Sequence, residues 1–152
     1  ASDEILGGKP YAEVEQMAVL RGIGGDPVAR QRLMNEYIAG RVLTMNLQRA
    51  RDRAAAGYAP GPEGSLTKIS KAASNQHLQE VAIELLGADA MAWVPDDLET
   101  PEWIAQFLCT RANSIEGGTS EIQRNIIGER VLGLPREPDA FKGQPWRLVP
   151  RS

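Results

Sequence analysis

The sequence holds one cysteine, Cys109, and one histidine, His77, in 152 residues. A lone thiol excludes an internal disulfide framework and fits a reducing, cytoplasmic setting. One histidine and one cysteine are too few for a zinc site. A di-iron carboxylate bundle needs two Glu-x-x-His motifs, and the residue three before His77 is Ser74. No metal site is therefore expected. No apolar run approaches the ~20 residues that a membrane span needs. The formal net charge of −3 offers no positive excess for nucleic acid or an anionic membrane surface. Strand signals are almost missing: β-branched alternation is rare and no hairpin dipeptide separates two apolar runs. The start, Ala1-Ser2-Asp3-Glu4, is acidic and polar, unlike a secretory signal. Opening on Ala rather than Met suggests a processed, cut or cloned piece. The end, Leu148-Val149-Pro150-Arg151-Ser152, partly resembles a protease-cleavage linker and carries no functional weight.

What is present is helix punctuation. The length suits one domain with a real apolar core. Residues 10–20 read as a short, weak helix with Val14, Met17, Ala18 and Val19. Gly22-Ile23-Gly24-Gly25 breaks it. Asp26-Pro27 is a good start for a long helix to about Ala56, because Asp accepts free amide hydrogens and Pro loses nothing at the first position. Val28, Met34, Tyr37, Ile38, Val42, Met45 and Leu47 give that helix a broad apolar face, and Gly57 stops it. Pro60-Gly61-Pro62 is a turn. A second long helix spans about Ser65 to Leu86 and ends at Gly87. A loop with Pro95-Asp96-Asp97 follows. Thr100-Pro101 then starts a third long helix, with Trp103, Ile104, Phe107, Leu108 and Ile115 on one face, broken by Gly117-Gly118. The last helix opens on a Ser-x-x-Gln capping box, Ser120 to Gln123, and stops at Gly133-Leu134-Pro135. The fold class expected is all-α, an antiparallel four-helix bundle. Residues 1–25 are a short helix and linker, 26–135 the bundle, and 136–152 an extended Pro-rich arm.

Few residues are placed for chemistry. Cys109 and His77 form a conceivable nucleophile and base. Cys109 beside Phe107 and Leu108 reads better as a small core residue, and His77 as a structural hydrogen-bonding group. Gly22 to Gly25 follows no strand, so it is not a dinucleotide loop. The informative stretch is Ile115-Glu116-Gly117-Gly118-Thr119-Ser120-Glu121-Ile122-Gln123-Arg124-Asn125-Ile126-Ile127. It is a helix end, a glycine break and a helix start. Free amides at the new N-terminus suit an oxygen-rich ligand, and paired glycines allow close approach to the backbone. Glu116 stands just before the break. On spacing alone, a plain helix–turn–helix corner with a surface glutamate is the competing reading.

That stretch, continued by Gly128-Glu129-Arg130-Val131-Leu132-Gly133-Leu134-Pro135, resembles the carboxy-terminal signature of acyl-CoA dehydrogenases. Ser65-Leu66-Thr67-Lys68 resembles a helix start of the same family, and Leu85-Leu86-Gly87-Ala88 its flavin-contacting loop. The resemblance covers about Asp26 to Pro135. It implies that the chain is the third, helical part of a longer FAD enzyme. Such enzymes oxidise the Cα–Cβ bond of an acyl-CoA thioester in fatty acid and lipid metabolism. A glutamate takes the α-proton, FAD takes the hydride, and electrons pass to an electron-transfer flavoprotein or a similar acceptor. Members are usually homodimers or dimers of dimers.

The resemblance also assigns residues. Counting back from Gly118-Thr119, the family's Tyr-Glu-Gly-Thr base position falls on Gly117, and Glu116 is one residue early. One residue turns a helix by roughly 100°, so Glu116 does not simply inherit the role. Other members carry the base on an earlier helix, which would lie before this chain's start. Thr119 and Glu121, with Gly118, match positions contacting FAD. The Gln-x-x-Gly-Gly loop that touches a neighbour's flavin reads Glu84-Leu85-Leu86-Gly87-Ala88 here. Glu84 replaces the Gln, and a carboxylate there would repel a pyrophosphate. Arg21 stands where a phosphate-contacting arginine is expected. The resemblance leaves a non-catalytic partner subunit, a flavin acyl-CoA oxidase and a nitroalkane oxidase as alternatives to a dehydrogenase.

Overall fold

The computed structural model describes residues 7–59, 61, 63–92, 101–136, 138, 141 and 143–150. Its described residues form α1 (Tyr11–Leu20), α2 (Pro27–Ala55), α3 (Glu63–Leu86), α4 (Glu102–Cys109) and α5 (Ser120–Arg130), with short 3-10 turns and no strand. Helix α3 packs against α1, α2, α4 and α5. Residues late in α2 meet residues early in α3, where Leu43, Asn46 and Ala50 line one groove with Leu66, Thr67 and Ser70. At the other end, Ala29 and Arg32 line a cleft with Glu84 and Leu85. The two long helices are thus antiparallel.

The helix ends follow local chemistry. Asp26 Oδ1 accepts from the Val28 and Ala29 amides at 2.9 and 2.8 Å, with Pro27 at the first helical position. Gly22 (φ +74°) closes α1, and the Ile23 amide donates to the Ala18 carbonyl at 3.0 Å. Gly57 (φ +82°) closes α2 likewise, through a 3.1 Å bond from the Tyr58 amide to the Arg53 carbonyl. These are Schellman ends, which need the left-handed residue that glycine supplies.

The apolar core is small. Val14, Met17 and Ala18 of α1, Leu33 of α2, and Val81 and Ala82 of α3 are buried together. Tyr11, Ile23, Leu78, Leu85, Leu86 and Trp103 pack around them. The short first helix is therefore part of the core. The broad apolar face expected on α2 is turned the other way. Only Ala29 and Leu33 of that helix are buried, while Val28, Met34, Tyr37, Ile38, Val42 and Met45 are exposed. The helix is about 45 Å long, longer than this small core can cover.

Polar side chains of α3 do the rest. Gln79 is only 1% exposed. Its Oε1 accepts from the Lys9 amide and its Nε2 donates to the Lys9 carbonyl, both at 2.9 Å. Gln106 Oε1 accepts from the Gly8 amide at 2.8 Å, and Asn75 Nδ2 donates to the Gly7 carbonyl at 3.1 Å. Residues 7–9 are thus strapped to the bundle by three amides. The strap lies too close for side chains: a Cβ on Gly8 would sit 2.3 Å from Asn75 Oδ1, and one on Gly7 2.5 Å from Cys109 Cβ. The Lys9 ammonium adds ion pairs to Glu102 and Glu13, which raise its pKa in that order.

Three local expectations need correction. The third long helix is cut short: α4 ends at Cys109 and a 3-10 turn runs from Thr110 to Ser114. Side chains from α3 and from the segment itself take its carbonyls. Gln76 Nε2 donates to the Thr110 carbonyl at 2.9 Å, and Lys68 Nζ to the Asn113 carbonyl at 2.8 Å. Thr110 Oγ1 and Ser114 Oγ donate three residues back, to Phe107 and Arg111. Such side-chain bonds compete with the helical ladder. Second, Leu108 and Ile115 are exposed, away from the half-buried Trp103, Ile104 and Phe107. Third, Cys109, at the end of α4, is exposed rather than a core residue. His77, expected as a structural hydrogen-bonding group, is exposed on α3, within electrostatic reach of Glu36. Of the Pro60-Gly61-Pro62 turn only Gly61 falls within the described residues; the Pro95-Asp96-Asp97 loop and Thr100 lie outside them.

Two predictions follow from this packing. Gln79→Leu keeps the volume but leaves the Lys9 amide and carbonyl unpaired, at about 1–3 kcal/mol for each group that stays buried. A lower denaturation midpoint is expected, and an unchanged midpoint would show that the strap does not hold the bundle. The second concerns Glu36. Burial raises its carboxyl pKa, with His77 lowering it and Glu80 raising it to smaller extents. A raised folded pKa means that stability is full below the unfolded pKa and falls as pH rises through the folded one. Glu36→Gln should therefore raise the melting temperature at about pH 7 and leave it unchanged below about pH 4.

Candidate functional site

The candidate residues fall into two corners at opposite ends of α3. The first is the break between the Thr110–Ser114 turn and α5. The Glu116 amide still bonds to the Ala112 carbonyl at 2.9 Å. The backbone then reverses through Gly117 (φ +61°) and Gly118 (φ +96°). Both angles lie in the left-handed region where a side chain is strained. A Cβ on Gly117 would meet nothing within 4 Å, whereas one on Gly118 would lie 2.8 Å from Gln123 Nε2.

Helix α5 then starts one residue earlier than the capping box implies. Thr119, not Ser120, is the N-cap, and its hydroxyl accepts from the Ile122 amide at 3.3 Å. Gln123 Nε2 donates to the Gly117 carbonyl at 3.2 Å instead of closing a box. Thr119 wins because the two glycines place the turn directly before it. Glu121 is exposed in the first turn, 3.1 Å from Arg124. Its own backbone amide first, then the Thr119 hydroxyl, hold its carboxyl below the ordinary range. Gly118, Thr119 and Glu121 thus lie together at the start of α5.

Glu116 is exposed, and its Oε1 accepts from Asn113 Nδ2 at 3.2 Å. Asn113 is only 1% exposed, and its Oδ1 accepts from Asn75 Nδ2 at 2.8 Å. Neither asparagine stands out in the sequence. The available signal is the run Ser74-Asn75-Gln76-His77-Leu78-Gln79, with Asn75 and Gln79 one turn apart on a helix that also carries core residues.

The second corner is the C-terminal end of α3. Gly87 takes φ +60°. Arg21 donates to the Leu86 carbonyl at 3.1 Å and pairs with Asp89 at 2.6 Å. Glu84 pairs with Arg32 of α2. The carboxylate at 84 therefore carries its own counter-ion, which offsets the repulsion that the sequence suggests. Arg21 is equally committed, so these two arginines are matched by two carboxylates. From Lys68, beside the first corner, to Gly87 is about 28 Å of helix. The structure does not bring Arg21, Glu84 and Gly87 together with Glu116, Thr119 and Glu121.

Comparison with known proteins bears on both corners. The acyl-CoA dehydrogenase C-terminal domain model matches residues 11–132. An acyl-CoA dehydrogenase IpdE1 of Mycobacterium tuberculosis is 35% identical over 134 residues, covering 88% of this chain and 34% of the relative. Its namesake in Mycolicibacterium smegmatis is 34% identical over 132 residues, covering 85% and 31%. The chain thus spans about a third of the curated relatives it matches. The solved Tcur3481-Tcur3483 steroid ACAD shares the fold, with TM-score 0.69 at 21% identity over 84% of this chain and 34% of that one. With the family model spanning everything from α1 to just past α5, this chain belongs to the acyl-CoA dehydrogenase family, of which it carries the C-terminal domain.

Proposed function

We propose that the intact protein is an FAD-dependent acyl-CoA dehydrogenase and that this chain supplies the helical domain completing its cofactor and substrate sites. The observation carrying this is the first corner. Two left-handed glycines expose backbone next to a capped helix start, within the stretch matched to the family. Gly118, Thr119 and Glu121 would hold FAD there, through backbone approach at the glycine and the free amides of α5. When bound, FAD accepts the hydride lost from the substrate's Cβ. The α-proton goes to a glutamate, leaving the trans-2-enoyl thioester, and electrons leave to an electron-transfer flavoprotein or similar acceptor.

Gly117 is a poor place for that glutamate, since its backbone is left-handed. An upstream glutamate is the reading we favour, ahead of Glu116. The substrate is an acyl-CoA; a polycyclic acyl group is the first to test, because the solved neighbour is titled a steroid ACAD. The exposed apolar face of α2 supports an oligomer that buries it. The two corners of one chain, at opposite ends of α3, suit contact with two different flavins across such an assembly.

The second corner favours an alternative. Its two arginines are both paired with carboxylates, leaving little free positive charge for a pyrophosphate. A partner subunit without its own complete flavin site accounts for that. A flavin oxidase would use the same corners.

Flavin absorbance surviving gel filtration of the intact protein tests the proposal. A yellow protein that bleaches anaerobically on adding acyl-CoA is expected; a colourless one supports the silent-partner reading. Gly117→Glu should cost about 1–2 kcal/mol of stability from its left-handed backbone without raising kcat. A clear gain in kcat would instead show that a lost base had been restored.

A further inference from the structure

We infer that Glu116 is a positioning residue, the end of a directed hydrogen-bond relay that braces the Gly117-Gly118 corner, and not the proton-abstracting base. The relay starts at the Gly7 carbonyl, which can only accept. Asn75 must therefore present its Nδ2 to Gly7, 3.1 Å away. The same nitrogen donates to Asn113 Oδ1 at 2.8 Å. That fixes which end of the Asn113 amide is oxygen, so its Nδ2 is the end facing Glu116 Oε1 at 3.2 Å. Lys68 Nζ pins the Asn113 backbone carbonyl at 2.8 Å. Every orientation in the chain is set by a neighbour, and Asn113 is 1% exposed.

What Asn113 needs at position 116 is an acceptor oxygen. A carboxylate supplies one, and so does an amide. A base needs the carboxylate itself. The relay also ends beside Gly117 and Gly118, whose backbone is left-handed, and on their other flank Gln123 Nε2 donates to the Gly117 carbonyl at 3.2 Å. Glu116 and Gln123 thus hold the corner from its two ends, and Asn75 ties it to the strap at residues 7–9. The flavin consequence of this brace rests on the proposed function; the brace itself does not.

The test compares Glu116→Gln and Glu116→Leu in the intact protein; Glu116 is exposed, so both variants should fold. Two readouts are used: amide hydrogen exchange of peptides covering residues 112–120, and the FAD dissociation constant, with kcat alongside. The relay predicts about threefold to tenfold faster exchange and weaker FAD for Glu116→Leu, the range of one lost hydrogen bond. It predicts Glu116→Gln within about twofold of the unaltered protein in exchange, FAD affinity and kcat. Loss of kcat by about 10²–10⁴-fold in Glu116→Gln, with exchange and FAD intact, would mark a general base and overturn the inference. Exchange in Glu116→Leu equal to that of the unaltered protein would overturn it too. If the intact protein holds no FAD, the flavoenzyme proposal fails, and the exchange comparison still decides the brace.

Discussion

The side-chain amide of Gln79, buried in the C-terminal half of α3, donates to and accepts from the backbone of Lys9. Much of the rest hangs on that pairing. Among the described residues the shared apolar core comprises six buried residues, two of them alanines, which is modest for a helix as long as α2. What locks the other side of α3 is polar: Asn75, Gln76, Gln79 and Lys68 each capture backbone or side-chain groups of residues 7–9 or of the α4 end. Buried amides of this kind are costly when unpaired and rigid when satisfied. They therefore specify one register of α4 against α3 where apolar packing alone would tolerate several.

The same polar spine shapes the candidate site. By drawing off the Thr110 and Asn113 carbonyls it ends α4 early and forces the 3-10 turn. That turn delivers Glu116 and the two glycines at the angle that opens α5. The proposed cofactor corner is in this sense a by-product of how α3 satisfies its neighbours. The opposite corner is governed by charge instead. Arg21 with Asp89 and Arg32 with Glu84 tie the α1–α2 loop and the start of α2 to the end of α3. Both pairs are partly exposed, so each stabilises by at most about 1 kcal/mol. Each also matches an arginine of that corner with a carboxylate.

The outward apolar face of α2 belongs with the family assignment. The chain spans about a third of the curated relatives it matches. Val28, Met34, Tyr37, Ile38, Val42 and Met45 read as core by periodicity, yet they are exposed. Periodicity reports that a face wants burial and is silent on which molecule buries it.

Local signals in the sequence determined most of the helices. Asp26-Pro27, Gly22, Gly57 and Gly87 marked starts and stops because caps and left-handed ends depend on the residue itself and its near neighbours. The motif from Gly118 to Pro135 was likewise legible, and it pointed to the family that residues 11–132 match. Tertiary structure alone decided the early end of α4, the pairing of Glu84 with Arg32, and the orientation of the Asn113 amide against Asn75. Each of these is set by groups about 30 to 50 residues away in the chain, and no pattern of neighbouring residues encodes such a meeting.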